Sequence, residues 1–209
     1  MTHIESIVLD VADPVAARRF STEAFGLGPV VQLRRAQDPS DGFRGFTLSL
    51  TVAQPSTVDS LLGSAVEAGA TTLKPAKRSL WGYGGVVQAP DGAIWKVATS
   101  ARKDTGPATR AFDDLVLLLG VDDVAASKRF YVDHGLAVAK SFGRSYVQFD
   151  TSASPVSLGL YRRRALAKDA GVPPEGSGSH RLTVVGDIGP CTDPDGFAWE
   201  AVSAVRAAG

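Results

Sequence analysis

Apolar and polar positions along this chain follow two alternating rhythms, one of period two and one of helical period, and the change-over points predict its elements. Residues 7–11, Ile-Val-Leu-Asp-Val, read as a strand, and Asp13-Pro14 behind them supplies an N-cap and a proline for the first helical turn. From Val15 to Phe25 the apolar residues fall at helical spacing until Gly26 to Gly28 stop them. Residues 30–34 predict a strand, 36–45 a loop, and 46–52 a second alternating strand. Pro55-Ser56-Thr57-Val58-Asp59 predicts a helix opened by a Ser-x-x-Asp capping box, with Val58, Leu61, Leu62, Ala65 and Val66 on one face and Gly69 at its end. A glycine-rich aromatic stretch, Leu80-Trp81-Gly82-Tyr83-Gly84-Gly85, leads through 86–88 to a Pro-Asp-Gly turn. Further on, 115–121 predicts a strand and 124–134 a helix. Short strands follow at 138–140, 145–149, 156–161 and 181–185. Residues 162–179, with Arg162-Arg163-Arg164, predict a loop containing a short helical piece at 164–170.

The pattern repeats. Residues 119–131 align with 9–21, so that Asp123 stands for Asp13, Phe130 for Phe20 and Tyr131 for Ser21. Each copy closes on a tight turn and a tryptophan: Ala89-Pro90-Asp91-Gly92-Ala93-Ile94-Trp95-Lys96 in the first, Asp193-Pro194-Asp195-Gly196-Phe197-Ala198-Trp199-Glu200 in the second. Proline fixes φ and glycine tolerates φ > 0, so the strand after each turn starts in a defined register. Alternation then puts Trp95 and Trp199 on the core face and Lys96 and Glu200 on the other. The expected organisation is a first domain over 1–102, a linker over 103–110, and a second domain over 111–209 that lacks the second helix.

Composition narrows the function classes. Lys plus Arg and Asp plus Glu balance at 22 each among 209 residues, so no bulk field points to nucleic acid or an anionic membrane. The single Cys191 excludes an internal disulfide and any multi-cysteine metal site, which fits a reducing, cytoplasmic location. The apolar run 115–119 is far shorter than the roughly 20 residues of a membrane helix. The glycines of 82–85 lack the Lys-Ser/Thr and the strand-to-helix context of a phosphate loop.

The order of strand, Ala-x-x-x-Phe-Tyr helix (Ala126, Phe130, Tyr131), further strands and a final Asp-Pro-Asp-Gly with Glu200, together with its duplication, resembles the vicinal oxygen chelate superfamily of glyoxalase I, bleomycin-resistance proteins and extradiol dioxygenases. The resemblance implies an α+β fold of paired βαβββ modules whose curved mixed sheets form cups for a small molecule, in a chain that can pair as a homodimer. It also implies that metal-using members hold one divalent ion with a His on the first strand, a His opening a later strand, and the Glu after the turn. Here the first-strand position holds Ser6 or Val116, the later one Thr47 or His180, and the last one Lys96 or Glu200.

Only His180 and Glu200 are competent metal donors, so the expectation is a small-molecule binding or resistance-type protein without a catalytic metal or other cofactor. The alternative is a divalent-metal-dependent lyase, isomerase or dioxygenase using His180 and Glu200, with Glu200 as the catalytic carboxylate. Asp10 shares the face of Ser6, and Lys96 is expected either to pair with Asp10, to hold an anionic ligand group, or to be a solvated strand lysine. Trp81 and Tyr83 either stack on a planar ligand or plug the sheet, and Tyr161 is a further candidate in the cup. The bland reading of His180 is a solvated loop residue, and that of the arginine run a solvated face.

Overall fold

The computed structural model describes residues 2–80 and 82–202. Its elements in order are β1 (Ile4–Val11), α1 (Pro14–Phe25), β2 (Val31–Arg35), β3 (Ser40–Gly42), β4 (Phe46–Thr51), α2 (Pro55–Glu67), β5 (Thr71–Ser79), β6 (Gly82–Gln88) and β7 (Ile94–Thr99). The second half contributes β8 (Asp114–Val121), α3 (Val124–Asp133), β9 (Val138–Phe142), β10 (Tyr146–Phe149), β11 (Ser157–Arg162), α4 (Arg163–Ala170), β12 (Gly176–Gly178), β13 (Leu182–Gly186), β14 (Cys191–Thr192) and β15 (Ala198–Glu200). Among the described residues no helix is long and apolar enough to cross a membrane.

Both large sheets take strands from both halves of the chain. One has eight strands in the order β5-β6-β7-β4-β8-β11-β10-β9, and the other five in the order β14-β15-β13-β1-β2. The eight-stranded sheet is symmetric about its centre: β4 runs parallel to β7 and β8 parallel to β11, while β4 and β8 meet antiparallel. Two βαβββ modules, β4-α2-β5-β6-β7 and β8-α3-β9-β10-β11, are thus joined edge to edge. The five-stranded sheet joins the shortened outer modules through antiparallel β1 and β13.

The repeated helix starts behave alike. The Asp13 carboxylate accepts from the N–H groups of Val15 and Ala16, and the Asp123 carboxylate from those of Ala125 and Ala126. That satisfies donors a helix N-terminus otherwise leaves orphaned. The expected capping box of α2 is not formed. Its N-cap is Gln54, which makes no side-chain cap bond. The Gln54 amide instead ties down 105–107, and Asp104 accepts from the Ser56 N–H at 2.7 Å, so the connecting segment caps the helix from outside. Within the stretch expected to be a loop at 36–45 lies β3, which pairs with β12 as a small separate ribbon. The short helical piece of the second long loop is α4.

Packing follows the strand alternation. Trp95 and Trp199 are each 2% exposed and, as expected, face away from Lys96 and Glu200. Trp95 packs 4.9 Å from Phe25 of α1, while Trp199 packs 5.7 Å from Tyr131 of α3. Leu166, Ala167 and Ala170 of α4 pack with Phe43, Val86 and Ile94, and against Leu118 and Tyr161. Val86, Leu118 and Tyr161 share the Lys96 face of the eight-stranded sheet by register. The helix therefore lies in that sheet's cup.

Candidate functional site

The turn before β15 is organised by a buried carboxylate. Asp193, 5% exposed, accepts from the N–H groups of Asp195 and Phe197 through one oxygen and from the Tyr131 hydroxyl at 2.6 Å through the other. The Trp199 indole donates to the same hydroxyl at 3.3 Å. Burial raises the Asp193 pKa above its ordinary value against the opposing pull of these hydrogen bonds, and burial first, then Asp193, raises that of Tyr131. Asp195 is used as well: its carboxylate accepts from the Asp122 N–H at 2.7 Å and the Ser127 hydroxyl at 2.6 Å. Both acids of the motif thus hold architecture within the turn, whereas Glu200 lies beyond it on β15.

Glu200 reaches the cup face of the five-stranded sheet. Register places it beside Val185, which in turn pairs with Ser6, so Ser6 and Glu200 share one row. The feature the sequence reading missed is Arg34 on β2, beside Asp10. Its guanidinium donates to Asp10 at 2.7 Å, to Glu200 at 2.9 Å and to the Thr183 hydroxyl at 3.1 Å. These bonds, Asp10 first and Glu200 second, raise the Arg34 pKa further. Ser6, 2% exposed, accepts from the Gln32 amide. Alternation along β2 could have flagged Gln32 and Arg34, but only once the parallel pairing of β1 with β2 was known.

His180 lies elsewhere. Its imidazole stacks on Phe197 with centroids 4.0 Å apart, and its two nitrogens face the carbonyls of Arg44 and Asp195. It precedes β13, on which Val185 neighbours Glu200, so the two residues stand on the order of 15 Å apart along the strand. Among the described residues no group of three or more His, Cys, Asp or Glu is arranged to hold a metal. The donor set does not fit the ion of metal-using members: Glu200 already carries a guanidinium, and Ser6 hydrogen-bonds Gln32.

In the eight-stranded sheet the corresponding row reads Lys96, Ser49, Val116 and Ser157 across β7, β4, β8 and β11. It holds neither imidazole nor carboxylate, and the Ser49 hydroxyl is buried without a hydrogen-bond partner. Lys96 does not meet Asp10, because β7 and β1 belong to different sheets. It pairs instead with Asp169 of α4 at 2.6 Å, and Lys74 donates to the last carbonyls of the same helix. A cavity of about 250 Å³ remains beside this pair, walled by Lys74, Lys77, Gly84, Val86, Lys96 and Ala98. Gly84 supplies space on this face: a Cβ there would come within 2.8 Å of the Val97 carbonyl and 2.9 Å of the Ala98 side chain.

The other candidates divide between the two faces of this sheet. Tyr83 donates its hydroxyl to Asp59 of α2 at 2.7 Å, on the face away from Lys96. Tyr161 faces the cup, 5.7 Å from Tyr146, which lies 6.1 Å from Phe142, forming an aromatic ladder across β11, β10 and β9. Trp81 lies outside the described residues.

Comparison with known proteins places this geometry. No protein-family model and no curated protein sequence matches the chain. Among solved structures, glyoxalase I from Zea mays superposes with a TM-score of 0.63 at 16% identity, covering 96% of this chain and 92% of that one. A putative dioxygenase from Bacillus subtilis subsp. subtilis str. 168 superposes with a TM-score of 0.53 at 11% identity, covering 88% of this chain and 69% of that one. With its central pair of complete βαβββ modules and its shortened outer pair, the chain has the glyoxalase/dioxygenase fold.

Proposed function

We propose that the protein binds a small molecule in the cup of its eight-stranded sheet, without a catalytic metal. The observation that carries this reading is that the charge at both closing strands is already compensated within the chain. Glu200 is bound by Arg34, which also takes Asp10, and the twin position is itself a cation, Lys96, bound by Asp169. A divalent ion at Glu200 would have to displace a guanidinium held by two carboxylates, and one near Lys96 would meet like charge. The cavity beside Lys96 is just below the usual range for ligand pockets, and its lysine-rich wall suits a small molecule with an acidic group that takes the place of Asp169.

The test is a thermal-shift screen of planar and acidic metabolites on protein purified without a chelating tag, alongside elemental analysis. Saturable stabilisation by an acidic compound, lost in Lys96→Met and stronger in Asp169→Asn, is the expected result. Stoichiometric Ni, Zn, Fe or Mn that disappears in Glu200→Gln would overturn it in favour of metal-dependent chemistry at Glu200.

A further inference from the structure

The balanced charge of the whole chain conceals a local excess. Residues 138–149 and 157–168, which build β9, β10, β11 and most of α4, contain six lysines and arginines and no acid. Arg163 turns inward to the Phe43 and Pro174 carbonyls. The other five, Lys140, Arg144, Arg162, Arg164 and Lys168, are exposed, and none belongs to an ion pair among the described residues. Two acids border this surface, Asp122 and Asp123, just beyond the end of β8. The Asp123 carboxylate is committed to capping α3, and its pKa is lowered first by the Ala126 and Ala125 N–H groups and only then by the fields of Arg129 and Arg144. Asp122 is exposed and forms no ion pair among the described residues either.

The same surface carries the aromatic ladder. Register puts Tyr161, Tyr146 and Phe142 in one row across β11, β10 and β9, with Lys140 and Gln148 in the next row of that face. Phe142 is 65% exposed, and β9 is the last strand of its sheet, so the ladder ends on an open edge. The cations frame this row. Arg162 donates to the Arg144 carbonyl at 3.0 Å, which holds its guanidinium at the β9–β10 turn, where Arg144 itself stands between Phe142 and Tyr146 in the chain. Because α4 runs from the end of β11 to Lys96 on β7, Arg164 in its first turn stays at the β11 end. An exposed ring on an open strand edge, ringed by unpaired cations, is a surface built to be covered by something planar and anionic.

We infer that this wall binds a short single strand of nucleic acid, whose bases stack on Phe142 and Tyr146 while its phosphates meet Lys140, Arg144 and Arg162. Every base has a face to stack, so such a platform needs no sequence code, and phosphates repeated along a strand match cations distributed around the rings. A duplex keeps its base faces to itself and can use only the charge. The platform lies at the β11 end of α4 and the Lys96 cavity at the other, so the two sites are distinct.

The experiment is fluorescence anisotropy of the full chain with a short labelled oligothymidylate at low salt, alone and annealed to oligoadenylate. Saturable binding of the single strand is expected, with the duplex weaker by about tenfold. Phe142→Ala should weaken strand binding by about fivefold or more, and Arg144→Gln by about threefold while reducing the slope of log affinity against log salt by about 0.7. Arg19→Gln, which removes an exposed cation from α1, should leave both affinity and slope unchanged. Phe142 and Arg144 are exposed, so unchanged melting temperatures separate a lost contact from a lost fold. No saturable binding of the single strand, equal binding of the duplex, or an affinity indifferent to Phe142→Ala would each overturn the assignment. Thymidine monophosphate competing as strongly as the strand would replace it with a mononucleotide site, and binding to phosphatidylserine vesicles but not to the strand would replace it with a membrane-facing patch.

Discussion

The two Pro-Asp-Gly turns begin from nearly the same sequence and are anchored differently. In the second half, Asp193 is buried under Tyr131, and Trp199 joins them in a closed polar network. In the first half the aligned residues are Ala89 and Ser21: Ala89 is 3% exposed, Ser21 turns its hydroxyl back to the Arg18 carbonyl, and Trp95 packs on Phe25 instead. The polar pair is present as a pair or absent as a pair. A buried carboxylate is tolerable only with its donors in place, so replacing both partners by small groups gives an equally consistent, purely apolar solution. The closing residues repeat the lesson: Glu200 is met by a cation from β2, and Lys96 by an anion from α4.

The sharpest way to break this comparison is at Asp193. Asp193→Ala would strand the Tyr131 hydroxyl and two backbone N–H groups, and should cost about 3 kcal/mol in urea unfolding. Tyr131→Phe should cost about 2 kcal/mol, and the double variant less than the sum. Ser21→Ala in the first half should cost only about 0.5 kcal/mol. Equal losses at Ser21 and Tyr131 would show that the two turns are not anchored differently after all.

A smaller effect separates the closing residues. Arg34→Met leaves Asp10 and Glu200 facing each other and should cost about 1 kcal/mol, the guanidinium side chain being 47% exposed, with recovery when Glu200→Gln is added. Lys96→Met strands only Asp169, itself 45% exposed, and should cost less than about 0.5 kcal/mol. The same Arg34→Met variant should acquire weak Mn²⁺ binding, visible as paramagnetic broadening of Asp10, Thr183 and Glu200 resonances. Lys96→Met should show none, and broadening in both variants would dissolve the distinction.

The smallest expected difference is in pH dependence. The folded Asp193 has a pKa above its ordinary 3.8, so its contribution is fully present below that value and declines as pH rises through the raised one. Asp193→Asn removes this titration, so the stability of the wild type relative to Asp193→Asn should fall between acidic and neutral pH. The first turn offers no such group at Ala89. A constant difference across that range would sink the electrostatic part of the comparison.

Much of the architecture was legible because it is written locally. Asp13 and Asp123 at helix starts, Gly26 at a helix end and the paired turns each report their own few residues of backbone. The α2 cap was misread for the converse reason: the Ser56 N–H is met by Asp104, 48 residues away in sequence, which only the fold brings to the helix start. Within the candidate sites, the alternation rule placed Ser6, Asp10, Lys96 and Glu200 on cup faces. It could not show that Asp10 and Lys96 occupy different sheets, because strand exchange between the halves leaves no local mark. Arg34 and Asp169 escaped notice because each acts on a residue remote in sequence. The arginine run drew attention to its charge, whereas it is Leu166, Ala167 and Ala170 that seat α4 in the cup.

The pairing of β1 with β13 has a consequence for how the chain is made. Ile4 lies opposite Gly186, and the His3 N–H bonds the Asp187 carboxylate. During synthesis the first strand leaves the ribosome nearly a whole chain length ahead of its neighbour, and β4 likewise waits for β8. Both strands carry open edges until the second half emerges, which slows completion of the sheets and exposes apolar edges to other nascent chains. Chaperone dependence should therefore rise most when translation is slowed downstream of residue 102, where the open edges of both β1 and β4 are already exposed.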